Sequence, residues 1–453
     1  MMMSFDKLNL HEALSAALRD SGYTEATTVQ QQAIPPALEG RDLMVSAKTG
    51  SGKTAAFILP ALTRVLAARN DAAKSRDKGS SAGPRVLVLT PTRELAMQVA
   101  KAAVTYGRHV RGLRVATVVG GVPYPAQLKA LRGPLDILIA TPGRLMDHMN
   151  SGKAILANLE MLVLDEADRM LDMGFIDDIR FIADATPAAR QTVMFSATFG
   201  GHVGGLARAL LRDPLRVDVA SHTDTHADIE QRLHWADDLQ HKNALLDHIL
   251  TERSVEQALV FTSTQRDADW LADRLADMGH KVASLHGGMP QGRRTRVLHG
   301  LRTQDLRVLV ATDVAARGID VPTISHVINY GLPMKAEDYV HRIGRTGRAG
   351  RSGLAVTLAE RRDAGMIQSI QRFTTQRIPA AVIVGLEPKR GEPSHAPKAP
   401  FGKKPFGAKP FAGKPFGASK PFGKPAGARP TSGPFGGPSS GPRKPFGPRP
   451  ARG

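Results

Sequence analysis

The chain has 453 residues, with 61 Lys and Arg against 42 Asp and Glu, a net charge of +19 and no cysteine. That length holds about two or three domains with large cores, and the lack of cysteine excludes disulfides, thiolate zinc sites and cysteine nucleophiles. The first ten residues show no basic stretch followed by an apolar one, and no apolar run nears the roughly 18 residues of a membrane span, so a cytoplasmic chain is expected.

In chain order, Asn9-Leu10-His11-Glu12 predicts a helix start, with Asn9 as the cap and Glu12 three residues on. Ala13, Leu14, Ala17 and Leu18 continue it at helical spacing, and Gly22 ends it. Leu43-Met44-Val45 reads as a short strand. It runs into Ala47-Lys48-Thr49-Gly50-Ser51-Gly52-Lys53-Thr54, and a helical pattern through Phe57, Leu59 and Leu62 follows. Taken alone, these eight residues also fit a Gly-rich turn before a helix. Strand, glycine-rich loop and helix together describe a phosphate cradle. Gly50 and Gly52 let consecutive N–H groups turn inward, the helix start adds its free N–H groups, Lys53 reaches the β- and γ-phosphates, and the Thr54 hydroxyl is placed for Mg²⁺.

Further strands are expected at Val86–Thr90, Val115–Val119, Ile137–Ala140, Met161–Leu164 and Val193–Ser196, with residues 69–84 as an exposed insertion. Nearly unbroken apolar strands separated by helices imply a parallel sheet covered on both faces. From about Asp213 to Asp228 the pattern turns polar, which predicts a tether. A second series follows at Ile229–Trp235, Ala258–Thr262, Val282–Leu285, Val308–Ala311, His326–Tyr330 and Leu354–Leu358, without a phosphate loop of its own. The expected division is a first α/β domain over 1–218, a linker over 219–228, a second α/β domain over 229–388 and a tail over 389–453, with a cleft between the domains. Residues 393–453 carry 12 Lys and Arg, no acid and seven of the 15 Phe, with Lys-Pro-Phe-Gly repeated at 404–407, 414–417, 420–423 and 444–447. Such a stretch cannot build a core and is expected to be disordered. Its charge points to a polyanionic partner.

Asp165-Glu166-Ala167-Asp168 follows directly on the apolar run Met161–Leu164. A carboxylate at the carboxyl edge of a buried strand, facing a phosphate loop, suits a water-mediated Mg²⁺ contact by Asp165, with Glu166 set to orient and deprotonate an attacking water.

With both elements in view, residues 1–385 resemble the DEAD-box RNA helicases of helicase superfamily 2. The resemblance implies two tandem RecA-like domains that bind ATP and Mg²⁺ and close on RNA. It gives Gln30 to adenine recognition, with Phe5 stacking on the base, although GYTEATTVQ carries Ala26 and Thr28 where the family has prolines. Ser196-Ala197-Thr198 is similar to the family's coupling motif, which also involves Asp168 and His341. RNA contacts are implied for Pro91, Thr92 and Arg93, for Gly121, for Thr141, Gly143 and Arg144, and for Thr262, Gly287, Arg294 and Thr312. Asp320 is implied to bond the ATP ribose. His341-Arg342-Ile343-Gly344-Arg345-Thr346-Gly347-Arg348 resembles the family's final motif, which makes Arg345 and Arg348 arginine fingers. The wording DEADRMLDMGF and QTVMFSATF is similar to the bacterial RhlE-type subgroup. The expected activity is RNA-dependent ATP hydrolysis with local, sequence-independent strand separation, in a setting such as a ribosomal or RNA-decay assembly. An ATP-gated clamp without hydrolysis and an RNA chaperone acting through the tail are the other readings.

Overall fold

The computed structural model describes residues 3–47, 50–70, 83–219, 228–316, 319, 321–348 and 350–391. Thr49 and Asp320 from the expected ATP site, most of the 69–84 insertion and all but the first three residues of the tail lie outside them.

Two short strands, β1 (Met3–Ser4) and β2 (Glu25–Ala26), pair antiparallel at the start. The first helix runs Glu12–Asp20, and His11, not Asn9, caps it. The Ala13 N–H donates to His11 Nδ1, while Asn9 is left-handed at the end of the preceding turn. Seven strands then form the first sheet: β3 (Leu43–Ser46), β4 (Pro84–Leu89), β5 (Val115–Val118), β6 (Leu135–Ala140), β7 (Met161–Leu164), β8 (Gln191–Ser196) and β9 (Leu215–Asp218). Their order is β5-β6-β4-β7-β8-β3-β9, all parallel. The strand β9 corrects the expectation of a tether from Asp213. It is an edge strand whose Arg216 and Asp218 face out while Val217 is buried, so its composition looks like linker.

The second sheet holds β10 (Ile229–Ala236), β11 (Ala258–Thr262), β12 (Val282–Leu285), β13 (Val308–Thr312), β14 (His326–Asn329) and β15 (Gly353–Glu360), in the parallel order β10-β15-β14-β11-β13-β12. Because successive side chains point to opposite faces, an unbroken apolar strand fills two cores at once. In β4, Val86 and Val88 enter one cluster and Leu87 and Leu89 the other, and β7 divides in the same way. The second sheet repeats this in β11, with Ala258 and Val260 on one side and Leu259 and Phe261 on the other. Each buried Val, Leu or Phe contributes about 1.5–3 kcal/mol. That burial holds the strands, and with them the loops at their ends, in fixed positions.

Candidate functional site

Parallel strands present all their carboxyl ends at one edge, and the turns there carry the motifs. In the first sheet the phosphate loop follows β3, the Asp165–Asp168 turn follows β7 and Ser196–Thr198 follows β8. These strands are neighbours. The Pro91–Leu95 turn follows β4, Gly120-Gly121 follows β5 and Thr141–Arg144 follows β6, on the other half of the same edge.

Gly50 and Gly52 have φ of +85° and +92°, which only glycine adopts without strain. The Lys53 ammonium donates to the Ala47 carbonyl at 3.2 Å, across the loop, and Thr54 lies in the first turn of the helix Lys53–Asn70. The Ala47 N–H donates to the Ser196 carbonyl at 3.4 Å and the Ser46 hydroxyl to the Ala197 carbonyl at 3.3 Å, so the loop is tied to the turn after β8.

Asp165 is buried, and its backbone N–H donates to the Leu89 carbonyl at 3.0 Å. Burial pushes its carboxyl up to about 7, opposed by the nearby Lys53 charge. Its Oδ1 has no hydrogen-bond partner among the described residues. An orphaned, desolvated carboxylate oxygen beside a phosphate loop is the donor that a Mg²⁺ ion accepts, since this ion takes one or two carboxylates plus phosphate and water. The residues present therefore fit Mg²⁺ with ATP. Glu166 caps the following helix in the left-handed region, at φ 54° and ψ 53°. For a non-glycine residue this stores about 1–3 kcal/mol, a cost that marks functional turns.

Asp168 is pushed up by burial, against the Arg169 charge, and the Ser196 hydroxyl donates to the Thr198 carbonyl at 2.6 Å. The Thr198 N–H donates to Ser196 Oγ at 3.3 Å, and His341 Nε2 of the second domain is 3.7 Å from Asp168 Oδ2. The expected coupling set is thus brought together from β7, β8 and the helix Ala336–Ile343. Arg345 and Arg348 follow that helix; their guanidinium groups both donate to the Ile319 carbonyl, at 3.1 and 3.4 Å. Arg342, buried on the face of Phe261 at 4.8 Å, donates to both Asp313 oxygens at 2.6 and 2.7 Å. This fastens the helix to the turn after β13.

Several expected site residues also have partners within the protein. Phe5 is 5% exposed and belongs to the first core cluster, which leaves little ring surface for a base. Gln30 uses one N–H and one oxygen lone pair of its amide within the protein. Its Oε1 accepts from the Thr27 N–H at 2.9 Å, and its Nε2 donates to the Gly52 carbonyl at 3.0 Å. The first bond is half of a helix-capping box, and Thr27-x-x-Gln30 is its sequence signature. Arg294 is buried and pairs with Glu94 at 2.8 Å, joining the turn after β12 to the turn after β4. Thr92 caps its helix by accepting from the Leu95 N–H at 3.3 Å.

The other expected RNA contacts cluster. A Cβ on Gly121 would lie 1.9 Å from Arg93 Nη1, so Arg93 lies directly over the glycine turn. Arg144 donates to the Val122 carbonyl at 3.1 Å. Burial and the charges of Arg294 and Arg144 hold Arg93 below its usual range. Pro91 and Gly143 lie at helix starts on the same sheet edge, and Thr262 and Thr312 end β11 and β13 while Gly287 lies two residues past β12, strands that are themselves neighbours. Sequence reasoning missed Gln127. Its amide accepts from the Val119 N–H and donates to the Val122 carbonyl, both at 2.9 Å, and so shapes the Gly120-Gly121 turn. A buried glutamine among the apolar positions of a short helix is the only signal it leaves.

Residues 27–203 match the DEAD/DEAH box helicase family model and residues 241–350 the helicase conserved C-terminal domain. The ATP-dependent RNA helicase SrmB of Escherichia coli (strain K12) is 43% identical over 392 residues, 86% of each chain. The chain belongs to the DEAD-box ATP-dependent RNA helicases. This helicase is also 41% identical over 380 residues to the ATP-dependent RNA helicase RhlB of Xanthomonas campestris pv. campestris (strain B100), covering 83% of this chain and 65% of that one. Among solved structures the helicase resembles S. cerevisiae Dbp5 bound to RNA and ADP BeF3, with a TM-score of 0.73 and 29% identity, covering 83% of this chain and 95% of that one. No helix among the described residues is long and apolar enough to cross a membrane.

Proposed function

We propose that the helicase is an RNA-dependent ATPase that separates short RNA duplexes or remodels RNA–protein complexes by closing its two domains on a single strand. The observation that carries this reading is the meeting of Asp168 of the first domain with His341 of the second, 3.7 Å apart. An opposite charge in that cleft helps the phosphate loop only when the domains are together.

In this scheme Ala47, Thr49, Gly50, Ser51, Gly52, Lys53 and Thr54 hold the phosphates, with Gln30 selecting adenine and Asp320 taking the ribose. Thr54 and Asp165 would hold Mg²⁺, which when bound would neutralise phosphate charge. Glu166 orients and deprotonates the attacking water. Arg345 and Arg348 stabilise charge on the transferring phosphoryl group. The contacts of Arg93, Arg144, Thr262 and Thr312 to phosphates would position RNA without reading bases. The RNA in the Dbp5 complex supports that assignment. If RNA favours closure, ATP must tighten RNA binding by the same factor.

We place the domain boundaries at 218 and 229 and assign the chain to the RhlE-type subgroup on its motif wording; the relatives named above carry the names SrmB and RhlB. A cytoplasmic site and a ribosomal or RNA-decay setting belong to the same proposal. An RNA-stimulated ATPase assay tests it. Glu166→Gln is expected to abolish turnover while holding ATP-bound protein on RNA, and Arg345→Ala to keep nucleotide binding and lose about 10³-fold or more in turnover. Near-normal turnover in either variant refutes the assignment, and RNA-independent turnover in the wild type refutes the coupling.

A further inference from the structure

The helix Ala167–Asp172 starts directly after Asp165 and Glu166, so whatever grips it grips the acidic motif. The helix Ala336–Ile343 carries His341 and Arg342 in its last turn and leads into Arg345. Two ion pairs outside the expected site join these helices. Arg169 Nη1 donates to Asp338 Oδ1, with side chains only 5% and 11% exposed. Lys335 Nζ donates to Asp172 Oδ1 at 2.5 Å, on the open side of the same contact. Arg169 also lies 3.9 Å from Asp172 Oδ2, so the four charges form one network.

We propose that Arg169, Asp172, Lys335 and Asp338 form a clasp that sets how the finger-bearing helix seats on the acidic helix, which makes them positioning residues for ATP hydrolysis. The proposal rests on the finger reading above. Asp338 stands in the first turn of its helix, where the free N–H groups favour a negative charge, and it is one turn from His341 and two from Arg345. The Arg345 N–H donates to the Arg342 carbonyl and its Nε to the His341 carbonyl at 3.2 Å, so the finger is tied to the helix that Asp338 anchors. A buried pair adds little net stability over an apolar contact, but leaving one partner alone is strongly unfavourable. Such a pair rejects other seatings more than it strengthens this one.

The test is charge exchange in the full-length protein, read as RNA-stimulated kcat, half-saturating RNA and RNA-free binding of a fluorescent ATP analogue. Asp338→Arg is expected to lower kcat by about 30-fold or more while analogue binding stays within about twofold, because a buried like-charge pair opposes the seating alone. Arg169→Asp combined with Asp338→Arg is expected to recover about tenfold or more of that loss, as coupled sites do. Asp172→Lys and Lys335→Asp read the more exposed pair of the same network. Each single change is expected to slow turnover several-fold at low salt, and their combination to restore it. Turnover near wild type in the single variants, or no recovery on exchange at either pair, overturns the clasp. Arg345→Ala separates the two ideas. If it is inactive and exchange fails, only the clasp falls; if it stays active, the finger reading falls first.

Discussion

Gly52→Ala isolates the link between the adenine-side loop and the phosphate loop. A Cβ at position 52 would lie 2.4 Å from Gln30 Nε2 and 2.9 Å from Thr27 Oγ1, inside any tolerable contact, so the Gln30 amide has to withdraw. Two hydrogen bonds go with it, to the Gly52 carbonyl at 3.0 Å and from the Thr27 N–H at 2.9 Å. Neutral bonds of this kind contribute about 0.5–1.5 kcal/mol each. The φ of +92° adds about 1–3 kcal/mol of strain for alanine. Together these reach about 2–6 kcal/mol, which at about 1.4 kcal/mol per decade weakens ATP binding by about 30-fold or more. Gly50→Ala supplies the control, because φ is +85° there but the new Cβ meets nothing within 4 Å. It should retain the strain and keep both bonds, so it should bind better than Gly52→Ala by about 5- to 100-fold. Titration with a fluorescent ATP analogue without RNA measures both. Adding Gln30→Ala to Gly52→Ala removes the clashing amide, so the double variant should bind more tightly than the product of the single effects. Equal affinities for the two glycine variants, or strict additivity in the double, would refute the reasoning.

Truncation after Glu392 removes the +12 tail; we expect weaker RNA binding and a flatter salt dependence, by about 0.7 in log–log slope for each phosphate that the tail no longer neutralises. Phe stacking would add about 1–3 kcal/mol per base. An unchanged half-saturating RNA concentration at two salt levels would remove the tail from RNA binding. Acidification is expected to destabilise the second domain. His234 and His326 lie within β10 and β14, and burial holds both imidazoles below their usual range. The unfolded chain therefore takes protons first as pH falls through about 6.5, and stability drops by up to about 1.4 kcal/mol per pH unit for each group until the folded imidazoles also titrate. Thermal midpoints measured across that range should decline toward acid, less steeply in His326→Gln; a midpoint that rises would contradict the burial argument.

What was legible in the sequence was whatever burial dictates. Eleven expected strands and the strand before the phosphate loop are present, because a run such as Met161–Leu164 has no other way to hide its side chains. The edge strand Leu215–Asp218 was illegible because one side faces water and its alternation is only four residues long. The cap at His11 was hidden by Asn9, a better capping residue on average whose backbone is committed to the preceding turn. At the site, the phosphate loop and acidic turn could be read because their chemistry is local in the chain. The pairs Arg169–Asp338 and Arg294–Glu94 join residues 169 and 200 positions apart, and a charged residue on a helix says nothing about which distant helix it will meet.

The order of strands in the first sheet has a consequence for how this helicase can change. The three turns assigned to RNA come from β4, β5 and β6, one uninterrupted stretch from Pro84 to the helix ending at Asn150, while the nucleotide turns come from β3 before it and β7 and β8 after it. Two recombination points therefore suffice to transplant the whole first-domain RNA grip from a relative and leave every nucleotide-binding turn of that domain native. The graft has to match its host along the four parallel pairs from Val86 with Met161 to Leu89 with Leu164, where the helix Arg93–Tyr106 packs on the helix Lys53–Asn70 and the helix Pro142–Asn150 on the helix Ile176–Asp184, and at the ion pairs Arg69–Asp136 and Arg85–Glu160. Variation in RNA handling can accumulate inside that block as a unit, constrained by the strand seam, the helix contacts and the ion pairs at its boundary.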